Sequence, residues 1–494
     1  MYNKNVLFPK IKSHLHILTP IVICLLFLLA YTVLSFVRHD NYQSFGYDLG
    51  INDQVVWRYA HFQNPVTTID PYPNKTKFAE HVELIYPLLA PSYWIWDSRK
   101  MLLFLEPLFF CASGIAVYLL ARKKKLNQFV SLALLVSYLG FYGVQNALWD
   151  DVHSASFAAA FLMWFIYFLE TKKQKLSILF FFLAITAKEN IGLLTFLISG
   201  AYWIRQRATR LPIFFMAVSI AYVAFIFYVF FPHIMHMKYL YQNSGGIFSN
   251  ITHLSSFIDT DEKRQVILYS LLSFGFLPLL SPWFLIPAIG DLFIYFVVAS
   301  QLPGAQGFYG QYRITLTPLL MWATIISIGK FKRLNKWYIA VYLIACTMFV
   351  QYALHLPLSY LTKQSFWQQP AAVKDINTLR SKYIKPTNSI VAQNNIVSHL
   401  SHRDKIYTLY PEKKSFATHS PCGQTTCDWF RWYDHPEYLF VDTSTDWDAR
   451  HLLIDRPLFI AGLKNLEKAK VVTKYKEIGN AVLYKVNKNP DEYK

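Results

Sequence analysis

Asp48 and Asp53 stand in "FGYDLGINDQVVW" (45–57), just past the first long apolar run of the chain. A carboxylate at such a boundary has two uses. It can accept the orphan N–H groups that open a helix, or it can take a proton from an attacking hydroxyl. Asp48 is the candidate catalytic base, and Asp53 a candidate substrate contact. Further on, "WDDVH" (149–153) carries Asp150, Asp151 and His153, more than one helix cap requires. Two acids and an imidazole are also ligands for Mg²⁺ or Mn²⁺ beside a phosphate. In "FAEHVELIYPLLAP" (78–91), Glu80 and His81 open an expected interfacial helix. There His81 is either an interface anchor or a site residue.

Two cations complete the set. Lys188 precedes Glu189 in "ITAKENIGL", where the alternatives are a mutual ion pair and a cation held for a lipid-linked phosphate. Arg313, beside Tyr312 in "FYGQYRITLTP", starts an expected helix. A positive charge at a helix N-terminus is disfavoured by the dipole. A partner anion would account for it, and the guanidinium fork suits phosphate. Glu80, His81, Lys188, Glu189, Tyr312 and Arg313 therefore join Asp53 as candidate substrate contacts.

Other chemistries lack their marks. The sequence contains no G-x-x-x-x-G-K-[ST] loop, no zinc-type Cys/His spacing and no G-x-S-x-G elbow. Asp291 alone lies deep in an apolar stretch, which gives a proton relay little to run on.

The elements that position these residues are greasy. Of 494 residues, 54% are hydrophobic and 16% charged, below the roughly 25% charged of soluble domains. "IVICLLFLLAYTVLSFV" (21–37) is a retained transmembrane helix rather than a cleaved signal, because its run is long and no small-residue cleavage site follows. Many similar blocks follow, so the chain is expected to be a polytopic α-helical membrane protein. The net charge of +18 does not indicate nucleic acid. Its basic residues cluster in short loops, "RKKK" (122–125), "KKQK" (172–175), "RQRATR" (205–210) and "KFKRLNK" (330–336), which is the positive-inside pattern.

Placing those loops and the N-terminus in the cytoplasm gives about eleven crossings over residues 1–356. Outer loops then fall at 38–100, 148–154, 232–265 and 301–313. Residues 357–494 read as an extracytoplasmic soluble α/β domain. Within it, 388–411 reads strand, helix, strand; 437–444 reads strand; 456–469 reads helix; and 470–488 reads as a hairpin turning at Gly479-Asn480. Cys422 and Cys427 are close enough for a small disulfide in an oxidising compartment, or stand as two thiols.

"YDLGINDQVVW", "FAEHVELIYPLLAP", "KENIGLL", "VSHLSHRDKIYTLYP" (397–411) and "PEYLFVDTS" (436–444) resemble a bacterial family of multi-pass membrane proteins catalogued as a domain of unknown function. That family is grouped with the GT-C glycosyltransferases, which include protein O-mannosyltransferases and lipid A aminoarabinose transferases. The resemblance implies a polyprenyl-phosphate-linked sugar donor and a catalytic acid in the first outer loop, here Asp48. It implies a second acidic site at Asp150 or Asp151, and a basic residue between two short helices, here Lys188. The chain departs where relatives carry His near the position of Arg313.

The reading is a membrane glycosyltransferase serving a cell-surface acceptor, with no cofactor required and Mg²⁺ or Mn²⁺ as the metals its acids would suit. A flippase of lipid-linked sugars and a non-catalytic surface scaffold are the alternatives. A flippase calls for polar residues through the bilayer and repeats of inverted topology; a scaffold would use the outer acids only as caps.

Overall fold

The computed structural model describes residues 7–69, 76–207, 210–239, 254–299, 303–411, 430–432 and 434–489. Cys422 and Cys427, and parts of the loops at 38–100, 232–265 and 301–313, lie outside the described residues. The chain divides into two compact units.

The first unit comprises Met1–Leu34, Ala79–Ile85 and Phe104–Thr362 and is built of helices. Among the described residues, Leu18–Asp40, Met101–Lys123, Gln128–Trp149 and Arg210–Ile234 are long and apolar enough to cross a membrane. Ser154–Glu170, Gln174–Ile185, Pro282–Val298, Leu316–Lys330 and Trp337–Ala353 are apolar and shorter. Two further apolar stretches are divided by identifiable breakers. The stretch at 266–281 is a helix, Asp261–Leu272, then a left-handed Gly275 with φ of 59°, then a 3₁₀ turn, Leu277–Leu280. Glycine supplies that conformation without steric cost. Pro282 opens the next helix, where its missing N–H is no loss. At 176–204 the helices Gln174–Ile185 and Ile191–Gln206 meet at the polar Lys188-Glu189-Asn190 break expected from the sequence.

The second unit comprises Ser35–Phe78, Tyr86–Leu103 and Lys363–Lys494. Its strands are β1 (Ile390–Ala392), β2 (Ile406–Thr408), β3 (Tyr410–Pro411), β4 (Phe430–Arg431), β5 (Tyr438–Asp442), β6 (Val472–Ile478) and β7 (Ala481–Val486). Five of them form one sheet in the order β2-β1-β5-β7-β6. β1 runs parallel to β2 and β5, and β7 pairs antiparallel with β5 and β6. The β6–β7 hairpin turns at the expected residues, with Gly479 at φ of 58°. β1, β2 and β5 are buried almost throughout, as parallel strands covered on both faces must be.

Sequence reading gave 38–100 to the membrane part, whereas most of that stretch clusters with the sheet. The cause is visible at the β2 edge. Thr68 Oγ1 donates to the Ile406 carbonyl at 2.7 Å and accepts from the Ile406 N–H at 3.1 Å, and Thr408 Oγ1 donates to the Ile69 carbonyl at 3.0 Å. An edge strand must have its free backbone groups satisfied, and Thr68 does so here for Ile406. Ile51, Ile69 and Tyr42 join the core beneath the strands.

Candidate functional site

In each unit, charged and polar groups gather round a buried carboxylate, Asp53 in one and Glu189 in the other.

In the second unit, the segment with the two opening acids begins as a π-helical turn, Gly46–Gly50, that runs into the helix Ile51–Ala60. The entry is tight. A Cβ on Gly46 would sit 2.8 Å from Val397 Cγ1, and the Gly46 N–H donates to Asn394 Oδ1 at 3.0 Å. Asp48 is half-buried inside the turn. The cap positions belong to Phe45 and Gly50, neither of which makes a side-chain capping bond. Asp48 therefore does not occupy the N-cap position of either segment.

Asp53, one helical turn later, is fully buried. It accepts from Tyr93 Oη at 2.5 Å and from Ser401 Oγ, and its Oδ2 lies 3.0 Å from His402 Nε2. The other imidazole nitrogen, Nδ1, lies 2.9 Å from Asp97 Oδ1. Two carboxylates on two ring nitrogens call for both nitrogens to donate, which is the imidazolium form. Burial by itself would lower the His402 pKa, but Asp53 and Asp97 outweigh it and raise it. Burial by itself would raise Asp53, but the charge and hydrogen bond of His402, with the hydroxyls of Ser401 and Tyr93, hold it below the usual carboxylate value. Asp97 is lowered chiefly by its bond from His402. Asp53 is thus enclosed on every side by its own chain, a holding position rather than an open substrate contact.

In the first unit the break after Ile185 carries Lys188 and Glu189. Glu189 is buried and takes up its bonds locally. Oε1 accepts from His81 Nδ1 at 2.8 Å and from Tyr239 Oη at 2.6 Å, and Oε2 accepts from the Val82 N–H at 3.2 Å. Burial would raise its pKa, yet His81, Lys188 and Tyr239 draw it down to about 2. The Lys188–Glu189 ion pair that the sequence allowed is not made. Among the described residues Lys188 has no ion pair, is half-buried, and acts on Glu189 and His153 only through its field.

"WDDVH" connects the helices Tyr142–Trp149 and Ser154–Glu170. His153 Nε2 donates to the Asp150 carbonyl at 2.7 Å, which fixes the tautomer and leaves Nδ1 as the basic nitrogen. Burial first, and the Lys188 charge after it, lower the His153 pKa against the pull of Asp150. The His153 N–H donates to Glu106 Oε1 at 3.0 Å, and Glu83 Oε1 accepts from Ser154 Oγ at 2.5 Å. Asp151 is buried at φ of 68°, a left-handed position that Asp tolerates. Gly310, at φ of 75°, makes room for the Asp150 carboxylate, whose Oδ2 would stand 3.1 Å from a Cβ there. Among the described residues, no group of three or more His, Cys, Asp or Glu is placed to hold a metal ion. Asp150, Asp151 and His153 are neighbours in sequence without forming a ligand set.

The remaining candidates are placed as follows. Glu80 is half-buried ahead of His81. The Tyr312 ring meets that of Tyr295 edge-on at 5.4 Å, and Tyr295 Oη accepts from Asn190 Nδ2 at 3.4 Å. Arg313 is wholly buried. Its guanidinium lies 4.9 Å from the Tyr295 ring centre and 5.2 Å from that of Phe296, and Nη2 donates to the Ala305 carbonyl. Its Nε and Nη1 have no hydrogen-bond partner; Asp291, whose Oδ1 accepts from Thr315 Oγ1 at 2.7 Å, is coupled to it only through charge, with no ion pair between them among the described residues. Sequence reasoning missed Tyr93, Asp97, Ser401, His402 and Tyr239. Ser401 and His402 lie within "VSHLSHRDKIYTLYP", a motif already singled out, but nothing local says that they face residue 53.

A model of the family described as "Predicted membrane protein (DUF2079)" matches residues 38–453, and the chain belongs to that family. No curated protein matches it significantly. Among solved structures it is similar to the crystal structure of ArnT from Cupriavidus metallidurans bound to undecaprenyl phosphate. There the TM-score is 0.52 and the identity 11%, over 93% of this chain and 97% of that one. It also matches the cryo-EM structure of the arabinofuranosyltransferase AftD from Mycobacteria, at a TM-score of 0.47 and 12% identity, over 94% of this chain and 40% of that one. The likeness to ArnT is one of fold.

Proposed function

We propose that this member of the predicted membrane protein family is a GT-C glycosyltransferase that moves a sugar from a polyprenyl-phosphate-linked donor to a cell-surface acceptor. Its N-terminus faces the cytoplasm and its sheet-bearing C-terminal part faces outward, in keeping with the basic loops. The observation that carries the reading is Lys188. Its neighbour Glu189 is occupied by His81, Val82 and Tyr239, which leaves a half-buried ammonium for an anion. The likeness to ArnT, whose structure holds undecaprenyl phosphate, supports a lipid-linked phosphate as that anion.

In this reading Asp48 takes the proton of the acceptor hydroxyl as its oxygen attacks the anomeric carbon. The bond from that carbon to the phosphate oxygen breaks, and the polyprenyl phosphate leaves with the bonding pair. Lys188 stabilises the charge that develops on it. Glu189 and His81 hold the Lys188 segment in place. Asp53 positions the Asp48 helix through Tyr93, Ser401 and His402.

The test incubates the purified full chain with a panel of polyprenyl-phosphate sugars and follows release of polyprenyl phosphate by mass spectrometry, with and without chelator. At least one donor is expected to turn over, with the same rate in chelator. Translocation of labelled donor between leaflets with no lipid phosphate released from any member of the panel would refute the proposal.

A further inference from the structure

The basic loops serve as a topology signal in the sequence; in the first unit, residues from three of them line one cavity. This cavity of about 570 Å³ is lined by Lys124, Arg205, Arg207 and Lys330 together with apolar residues that include Ile204, Leu280 and Trp283. Its size is within the range of small-ligand sites. Lys124 Nζ and Arg205 Nη1 already share one buried acid, Glu170, at 2.5 and 3.4 Å, and Trp322 Nε1 donates to the same carboxylate at 2.9 Å. That shared acid answers for only part of the lining charge. Among the described residues Arg207 and Lys330 make no ion pair, and both are exposed.

Three further features define what would fit. The helix Pro282–Phe293 opens at the cavity, so its N-terminal partial charge adds to the cations. Trp283 is 59% exposed, Leu280 42% and Ile204 38%. Large apolar side chains left bare beside a ring of cations suit a molecule with a charged head and a hydrocarbon body.

We propose that this cavity binds the phosphate headgroup of an anionic phospholipid. Its phosphate lies against Arg207, Lys330 and the open sides of Lys124 and Arg205, and its acyl chains lie along Trp283, Leu280 and Ile204. Basic pockets between helices recognise lipid phosphates by this combination of charge and burial. The site is separate from the Lys188 break, and its occupant is bound and not consumed.

The delipidated full chain in detergent, titrated with phosphatidylglycerol, phosphatidylcholine or inorganic phosphate and read by native mass spectrometry, tests the assignment. Phosphatidylglycerol is expected to be retained roughly tenfold more strongly than phosphatidylcholine. Arg207→Gln with Lys330→Gln should bring the two lipids level. The charge-preserving pair Arg207→Lys with Lys330→Arg should keep the preference, and the melting temperatures of both pairs without lipid report folding. Equal retention of the two lipids by the wild type, or an unchanged preference in the glutamine pair, overturns the proposal. So does inorganic phosphate that binds as tightly as the lipid, because the ligand would then be a free anion.

Discussion

The two constellations share a plan and differ in one respect. Each places a buried carboxylate against an imidazole and a phenol: Asp53 with His402 and Tyr93, Glu189 with His81 and Tyr239. Around Asp53 the circuit closes. The histidine is held on both nitrogens, and the second acid, Asp97, balances it. Around Glu189 the acid is satisfied by its partners, and the adjacent cation, Lys188, is left over. A buried charge network that is complete positions a backbone. One that leaves a charge unpaired is prepared to receive a ligand. This contrast separates the two acids of the opening segment: Asp53 is sealed among its own partners, and the proposed reaction assigns the chemistry to Asp48.

The sharpest way to break that contrast is to compare those two acids. Asp48→Asn should lower sugar transfer about 10²- to 10⁴-fold, as loss of a general base does, while thermal unfolding stays near the wild type. Asp53→Ala should do the reverse. Removing one member of a buried charged set costs about 3–5 kcal/mol, which a denaturant or thermal melt would read directly, with lost activity tracking lost folded protein. If both variants behave alike, the division between support and chemistry is wrong.

Lys188→Gln should reduce the turnover number about 10²- to 10³-fold, the usual cost of removing one electrostatic contact to a developing charge. Lys188→Arg should restore part of it in single-turnover assays of lipid phosphate release. A melting temperature that falls while turnover holds would make Lys188 structural.

The smallest expected effect is a pH dependence. His402 has its pKa raised in the fold from 6.5, so its contribution is complete below that value and is lost as pH rises through the higher folded one. Asp53 is lowered from 3.8, so its contribution is present above that value and is lost only as pH falls through the lower folded one. The cluster is therefore strongest in mild acid up to neutrality. Melting temperature should decline on the alkaline side of neutral, and His402→Asn should flatten that decline. A wild type and variant that decline in parallel would place the pH sensitivity elsewhere.

Much of the layout was legible in the chain. The apolar blocks, the basic loops and the polar break at Lys188-Glu189 are local patterns, fixed by the length of hydrocarbon to be crossed and the cost of charge within it. The strand and helix order of the C-terminal part was readable for the same reason, because alternation and a Gly-Asn turn act over a few residues. The partners of the acids were not. Asp53 and His402 are 349 residues apart, and Glu189 and Tyr239 are 50 apart. No periodicity spans such distances. Arg313 shows the same limit, since sequence asked for an anion beside it and the fold sets it against the Tyr295 and Phe296 rings and the Ala305 carbonyl.

The sequence by itself determined a membrane-embedded helical body, a mixed α/β tail, and acids and cations concentrated at the ends of apolar segments. Those follow from desolvation, which every short stretch of chain feels alone. Only the tertiary structure decided that the segment after the first helix packs with the distant sheet, that Asp53 is sealed and Asp48 is not, and that Lys188 loses Glu189 to His81 and Tyr239. Those choices depend on which donors compete for each carboxylate, and the competition exists only once the chain has folded.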